Sequence, residues 1–206
     1  MICSLNEIDA HVKKAARGSG LAWGLAEEAG KAARWLEGHR LDSLPLFAAL
    51  LEAGVNGPLR IADDVWRAEH GALHPIIAGA ALSDQAAQAV RPITLADVVF
   101  PMLLVPFAVL AVRATGTLYA LRWDAVIVSV TPDNVSTLGT GLRAASADVR
   151  CYDAPASGRV LHPMPAGVPV DDTVWARLDV LAKRTYVPAS DISRRRGAGA
   201  GMIDND

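Results

Sequence analysis

Cysteine is nearly absent. Cys3 and Cys151 are the two in 206 residues, far apart and without metal-ligand spacing. That excludes a disulfide framework and a zinc-ribbon type of site, and two lone thiols fit a reducing, cytosolic setting. Neither sign of charge dominates. A formal net charge of −2 leaves no excess of Lys and Arg to neutralise phosphates, which argues against general nucleic-acid binding. Aromatics make up only 5% of the chain, and the apolar half leans on alanine. Helices should therefore pack closely, with some apolar surface buried between subunits.

Apolar runs are short. The longest, "VVFPMLLVPFAVLAV" from Val98 to Val112, has 15 residues and two prolines, whereas a membrane helix needs about 20. Pro101 and Pro106 would break a core helix, so the run reads as buried strands. The sequence reaches Glu7 and Asp9 before any apolar stretch develops, and shows no signal-peptide pattern. The P-loop, the dinucleotide fingerprint, the G-x-S-x-G elbow and the H-E-x-x-H motif do not occur. No reaction is named by motif.

What is present is a clear order of elements. "SLNE" at Ser4–Glu7 has the spacing of a capping box. The helix after it carries Leu5, Ile8, Val12 and Ala15/Ala16 on one face and stops at "RGSG". A second helix in "LAWGLAEEAGKAARWLEGHR" has Leu21, Leu25, Ala29, Ala32 and Leu36 in a stripe, with Glu27 and Lys31 at pairing distance. Gly24 and Gly30 each cost that helix about 1 kcal/mol against Ala, which implies a close approach to its backbone. A third helix runs from about Asp42 to Glu52, capped by Asp42 or Ser43, with Pro45 in its first turn and Gly54 at its end. Strands follow in "MLLVPFAVLAVRAT", "TLYALRWD", "AVIVSVTPD", "ADVRCYDA" and "GRVLHPMPA", and "DDTVWARLDVLAKRTYV" is a last helix capped by Asp171 or Asp172. The fold class expected is α+β in one domain over residues 1–206. It has a helical subregion at 1–55, an antiparallel β-sheet at 93–170, and a C-terminal helix and ordered Gly/Ala-rich tail at 171–206.

Candidate chemistry gathers at the two ends. Arg17, Gly18 and Gly20 form a glycine-rich turn leading into a helix, a geometry that presents backbone N–H groups to an anion. In the tail, Arg194, Arg195 and Arg196 adjoin Gly197 and Gly199, where bare backbone and fixed positive charge suit a carboxylate or phosphate. Met202 and Ile203 can anchor that tail by burial, and Asp204 and Asp206 read as solvated charge. Glu28 is the carboxylate favoured for acid–base work, since Glu27 has Lys31 as its expected partner and the two glutamates point about 100° apart. His162 is a second candidate base. His70 and His74 are four residues apart, but Gly71 and Pro75 make one continuous helix doubtful, so no metal site is assigned. No cofactor is named by the sequence.

The phrases "SLNEIDAHVKKAARGSGLAWGLAEEAGKAARWL" and "RTYVPASDISRRRGAGAGMIDND" together resemble an uncharacterised bacterial domain of unknown function, over both ends and by extension the whole chain. The resemblance implies a bacterial cytosolic protein and makes the tail part of the domain, while assigning no catalytic residue. The sequence leads to two readings. In one, a metabolic enzyme binds a small anionic metabolite where Arg17–Gly20, Glu28 and the tail converge. In the other, a non-catalytic subunit docks its tail into a partner enzyme. A homo-oligomer or hetero-complex is expected, with neither nucleic acid nor membrane as partner.

Overall fold

The structure, a computed structural model, describes residues 1–54, 57–88, 92–164 and 167–186. The tail positions Arg194, Arg195, Arg196, Gly197 and Gly199 lie outside the described residues. After a short strand β1 (Ile2–Cys3), helix α1 (Leu5–Gly18) opens on the expected capping box. The Glu7 amide donates to Ser4 Oγ at 3.2 Å, and the Ser4 amide donates to Glu7 Oε2 at 2.7 Å. Ile8, Val12, Ala15 and Ala16 are buried. Helix α2 (Trp23–Gly38) buries Ala29, Ala32 and Leu36, three of the five residues in its expected stripe, within the helix.

The two glycines of α2 behave differently. A Cβ on Gly30 would stand 2.6 Å from Asp9 Oδ1 and 2.7 Å from the Asp9 carbonyl oxygen, so α1 does approach this backbone closely. Gly24 has nothing within 4 Å of such a Cβ.

Helix α3 (Leu44–Ala53) starts at Ser43 and ends at Gly54, whose φ of 78° is glycine's territory. The Ser43 side chain does not cap it. The cap is Glu37, 3% exposed, whose Oε1 accepts from the Ser43 amide at 2.5 Å, the Ser43 hydroxyl at 2.8 Å and the Leu44 amide at 3.1 Å. A buried carboxylate at a helix N-terminus is held by charge-assisted hydrogen bonds and by the dipole.

The middle of the chain holds strands β2 (Leu59–Ala62) and β3 (Val65–Ala68), helix α4 (Pro75–Asp84) and strand β4 (Ile93–Val99). The run expected as strands from Met102 onward is helical instead. A 3₁₀ turn at Pro101–Leu104 leads into α5 (Val105–Thr115). Both prolines fall in a first turn, where the missing N–H has no intrahelical partner to lose. Gly116, in the left-handed region at φ 70°, closes α5. Strands β5 (Tyr119–Trp123), β6 (Val126–Val130), β7 (Val135–Leu138), β8 (Ser146–Tyr152), β9 (Arg159–Val160) and β10 (Val168–Pro169) follow. Helix α6 (Asp172–Lys183) ends the described chain, capped by Asp171 as expected.

Among the described residues the main sheet runs β2-β3-β4-β8-β5-β6-β7-β9, and β1 pairs with β10 apart from it. Every pairing is antiparallel except β3 with β4. The class is α+β, with the sheet reaching back to residue 59 rather than starting at 93.

Helices α4 and α5 serve two cores. Ile76 and Phe107 belong to the cluster built on α1, α2, α3 and α6, whereas Ala78, Ala108 and Val112 belong to the cluster over the sheet. This is why α5 carries almost no polar residue.

His74 immediately precedes α4, is 4% exposed, and has no hydrogen-bond partner on either ring nitrogen among the described residues. Burial pushes its imidazole down to about 4 from an unfolded value near 6.5. Folding is thus unaffected by this group above the unfolded value and loses stability as pH falls from there toward 4. Urea unfolding at pH 7 and pH 5 should show a loss of about 2 kcal/mol from His74. A His74→Leu variant should lose that much less over the same interval. Equal losses in the two proteins would show that the ring is not held neutral. The two glycines give a second expectation, read from melting curves. Gly24→Ala should stabilise by about 0.5 kcal/mol through helix propensity, less than in a helix interior because Gly24 lies in the first turn of α2. Gly30→Ala should destabilise by about 1–3 kcal/mol, because overpacking outweighs propensity.

Candidate functional site

Helix α2 presents α1 with small residues on one side and offers the other to α5. Glu28, Ala32, Trp35 and His39, at i, i+4, i+7 and i+11, form one stripe of it. On α5, Pro106, Val109, Leu110 and Arg113, at i, i+3, i+4 and i+7, form the facing stripe. Between the two stripes lies a cleft of about 330 Å³ with an apolar floor of Trp35, Phe107 and Leu110. Arg34, Lys31 and Asp9 stand at its edges.

The cleft continues past His39 and Arg113 into a second lobe of about 330 Å³, walled by Thr131–Val135 and Leu161–Pro163. That last segment is pinned at both ends, since the Leu161 amide donates to the Val135 carbonyl at 2.8 Å and the Met164 amide to Gly38 at 2.8 Å. In the other direction the groove widens toward Ala22, Gly24 and Ala80.

The charges are arranged unevenly. Lys31 Nζ donates to Glu28 Oε1 at 2.7 Å, and this hydrogen bond to the Glu28 carboxylate holds the Lys31 ammonium above its ordinary range. Glu27 reaches Lys13 at 3.9 Å instead. The expected Glu27–Lys31 pair is therefore replaced by Glu28–Lys31, one helical step closer, while α1 supplies the partner of Glu27. Arg34 and Arg113 have no ion-pair partner among the described residues, and both are exposed. Asp9 turns one carboxylate oxygen onto Gly30.

His39 stacks on Trp35 with ring centroids 3.9 Å apart, and its Nδ1 lies 2.8 Å from the Trp35 carbonyl oxygen. A carbonyl only accepts, so Nδ1 carries the hydrogen and the neutral ring keeps its lone pair on Nε2.

Of the residues expected from the sequence, Glu28 lines the first lobe and His162 the second, so one groove contains both. Arg17, Gly18 and Gly20 line none of its three parts. The Arg17 guanidinium donates to the Leu21 carbonyl and lies over the Trp23 ring, 4.8 Å from its centroid. A Cβ on Gly18 would overlap the Leu181 carbonyl, so that glycine lets α6 pack on α1. Gly20 turns the chain at φ 104°.

Among the described residues no three His, Cys, Asp or Glu side chains gather to hold a metal ion. Cys3 and Cys151 are buried and unbridged. Arg34, His39 and Arg113 are not singled out by the sequence. Arg113 is signalled by the helical spacing of residues 106–113, which two prolines disguise as strand, and Arg34 and His39 gain significance only from α5 opposite them.

Residues 3–90 match the model of a family described as a protein of unknown function (DUF3726). No curated protein matches. Among solved structures, malate dehydrogenase from Entamoeba histolytica aligns with a TM-score of 0.45 and 10% identity, over 89% of this chain and 61% of that one. The chain thus spans less than two thirds of that enzyme's length, and so slight a likeness carries neither fold nor function. No helix among the described residues is long and apolar enough to cross a membrane. What the comparisons support is a similarity, over residues 3–90, to an uncharacterised domain family.

Proposed function

We propose that the α2/α5 groove binds a small metabolite bearing a carboxylate or phosphate next to an apolar body, in a bacterial cytosolic protein. The observation that carries this reading is the pair Arg34 and Arg113. They sit on different helices, line one cleft, and lack an acidic partner among the described residues. A guanidinium beside an apolar wall favours a planar anion, which it can grip with two parallel hydrogen bonds. Trp35, Phe107 and Leu110 would take the apolar body.

If the protein is a metabolic enzyme, Glu28 and His162 are the proton carriers within reach of the groove, and the tail arginines Arg194–Arg196 would add to the clamp. The non-catalytic reading, a binding subunit with a docking tail, gains from the pairing of Glu28 with Lys31, which engages the carboxylate. Trp23 and Val180, 65% and 60% exposed, are apolar surface that a subunit contact would cover.

Calorimetric titration with 3-phenylpropionate and phenyl phosphate tests the binding site. Arg34→Gln and Arg113→Gln should each weaken binding of at least one probe about tenfold, with unchanged melting temperatures, and Arg17→Gln should leave it intact. Equal affinities in all four proteins would remove the groove from consideration.

A further inference from the structure

Arg113 and Asp133 line the same second lobe, yet they form no ion pair with each other, and neither has another partner among the described residues. Opposite charges facing one small cavity, held too far apart to neutralise one another, leave both to a third party. The turn that carries Asp133 is tied on either side of it. Thr131 Oγ1 donates to the Asn134 carbonyl at 3.2 Å and accepts from the Asn134 amide at 3.0 Å, fixing the turn that displays the carboxylate. His39 adds a second acceptor at the border of the two lobes, because its Nδ1 is committed to the Trp35 carbonyl and its Nε2 is left with the lone pair.

One groove thus offers guanidinium donors, an apolar floor, and two acceptors at one end. We infer that its ligand is a zwitterion: a carboxylate on Arg113 or Arg34, a protonated amine between Asp133 and His39 Nε2, and an apolar side group over Trp35, Phe107 and Leu110. Amino acids and short peptides have this chemistry. A plain acid would satisfy the arginines and leave Asp133 solvated. A plain amine would do the reverse.

The inference rests on the anion-binding reading, and the test separates the two. The full chain is titrated calorimetrically with phenylalanine, 3-phenylpropionate and phenethylamine, which share an aromatic body and differ in charge. Phenylalanine should bind about fivefold more tightly than 3-phenylpropionate, the gain expected of one exposed ion pair, and phenethylamine should be weakest. In Asp133→Asn, whose exposed turn position makes misfolding easy to exclude by an unchanged melting temperature, that preference should vanish while 3-phenylpropionate binds as before. Arg113→Gln should weaken both acids. If 3-phenylpropionate or phenethylamine binds as tightly as phenylalanine, or if Asp133→Asn keeps the preference, the zwitterion assignment is wrong while arginine-dependent binding of the acid still stands. Binding of none of the three removes both.

Discussion

The close approach of α1 to α2 at Gly30 fixes the rest of the architecture. With no side chain there, the Asp9 carbonyl and carboxylate lie against the α2 backbone, and alanines on both helices close the seam. A single methyl group at that point would push the helices apart, because packed interiors do not absorb even one extra carbon without strain. Glu37 then ties the far end of α2 to the start of α3 through three hydrogen bonds in the interior. Helix α2 is thus located from one side and from its end, which leaves its remaining stripe free to form a wall.

The opposite wall is α5, and its chemistry follows from its place. It lies between the helical core and the core over the sheet, so nearly every position must be apolar. Arg113 escapes this because it sits in the last turn, where the helix emerges and a cation suits the dipole. A guanidinium is therefore delivered to the rim of an apolar cleft. Arg34 reaches the same cleft from α2, and the pinned segment Leu161–Met164 closes its far end. The groove is a consequence of helix packing, and the chemical preference we propose for it rests on its charge pattern.

Much of this was legible in the sequence where local rules act alone. The capping box at Ser4 and Glu7, the Gly54 end of α3 and the Asp171 cap of α6 follow from short-range signals. So do β5, β6 and β8. The stretch from Val98 to Val112 was misleading for a physical reason. A helix buried on two sides loses its amphipathic period, and proline in a first turn looks in sequence like proline in the interior. Once that helix is taken as a strand, Arg113 cannot be aligned with Trp35 and His39. Glu28 and His162 were found as chemistry, but Arg34 and His39 acquire a role only from the neighbour across the groove. The turn at Arg17–Gly20 carries a signal shared by anion sites and tight helix packing, and α6 accounts for its Gly18.

We propose the α2/α5 groove as the binding site of this protein. Backbone and arginine side-chain NMR spectra recorded during titration with 3-phenylpropionate test it most directly. Saturable shifts are expected at the Nε–H signals of Arg34 and Arg113 and at the Trp35 indole, with β2 and β3 unmoved. Shifts confined to the Arg17–Gly20 turn, or none in the groove at saturating probe, would contradict it.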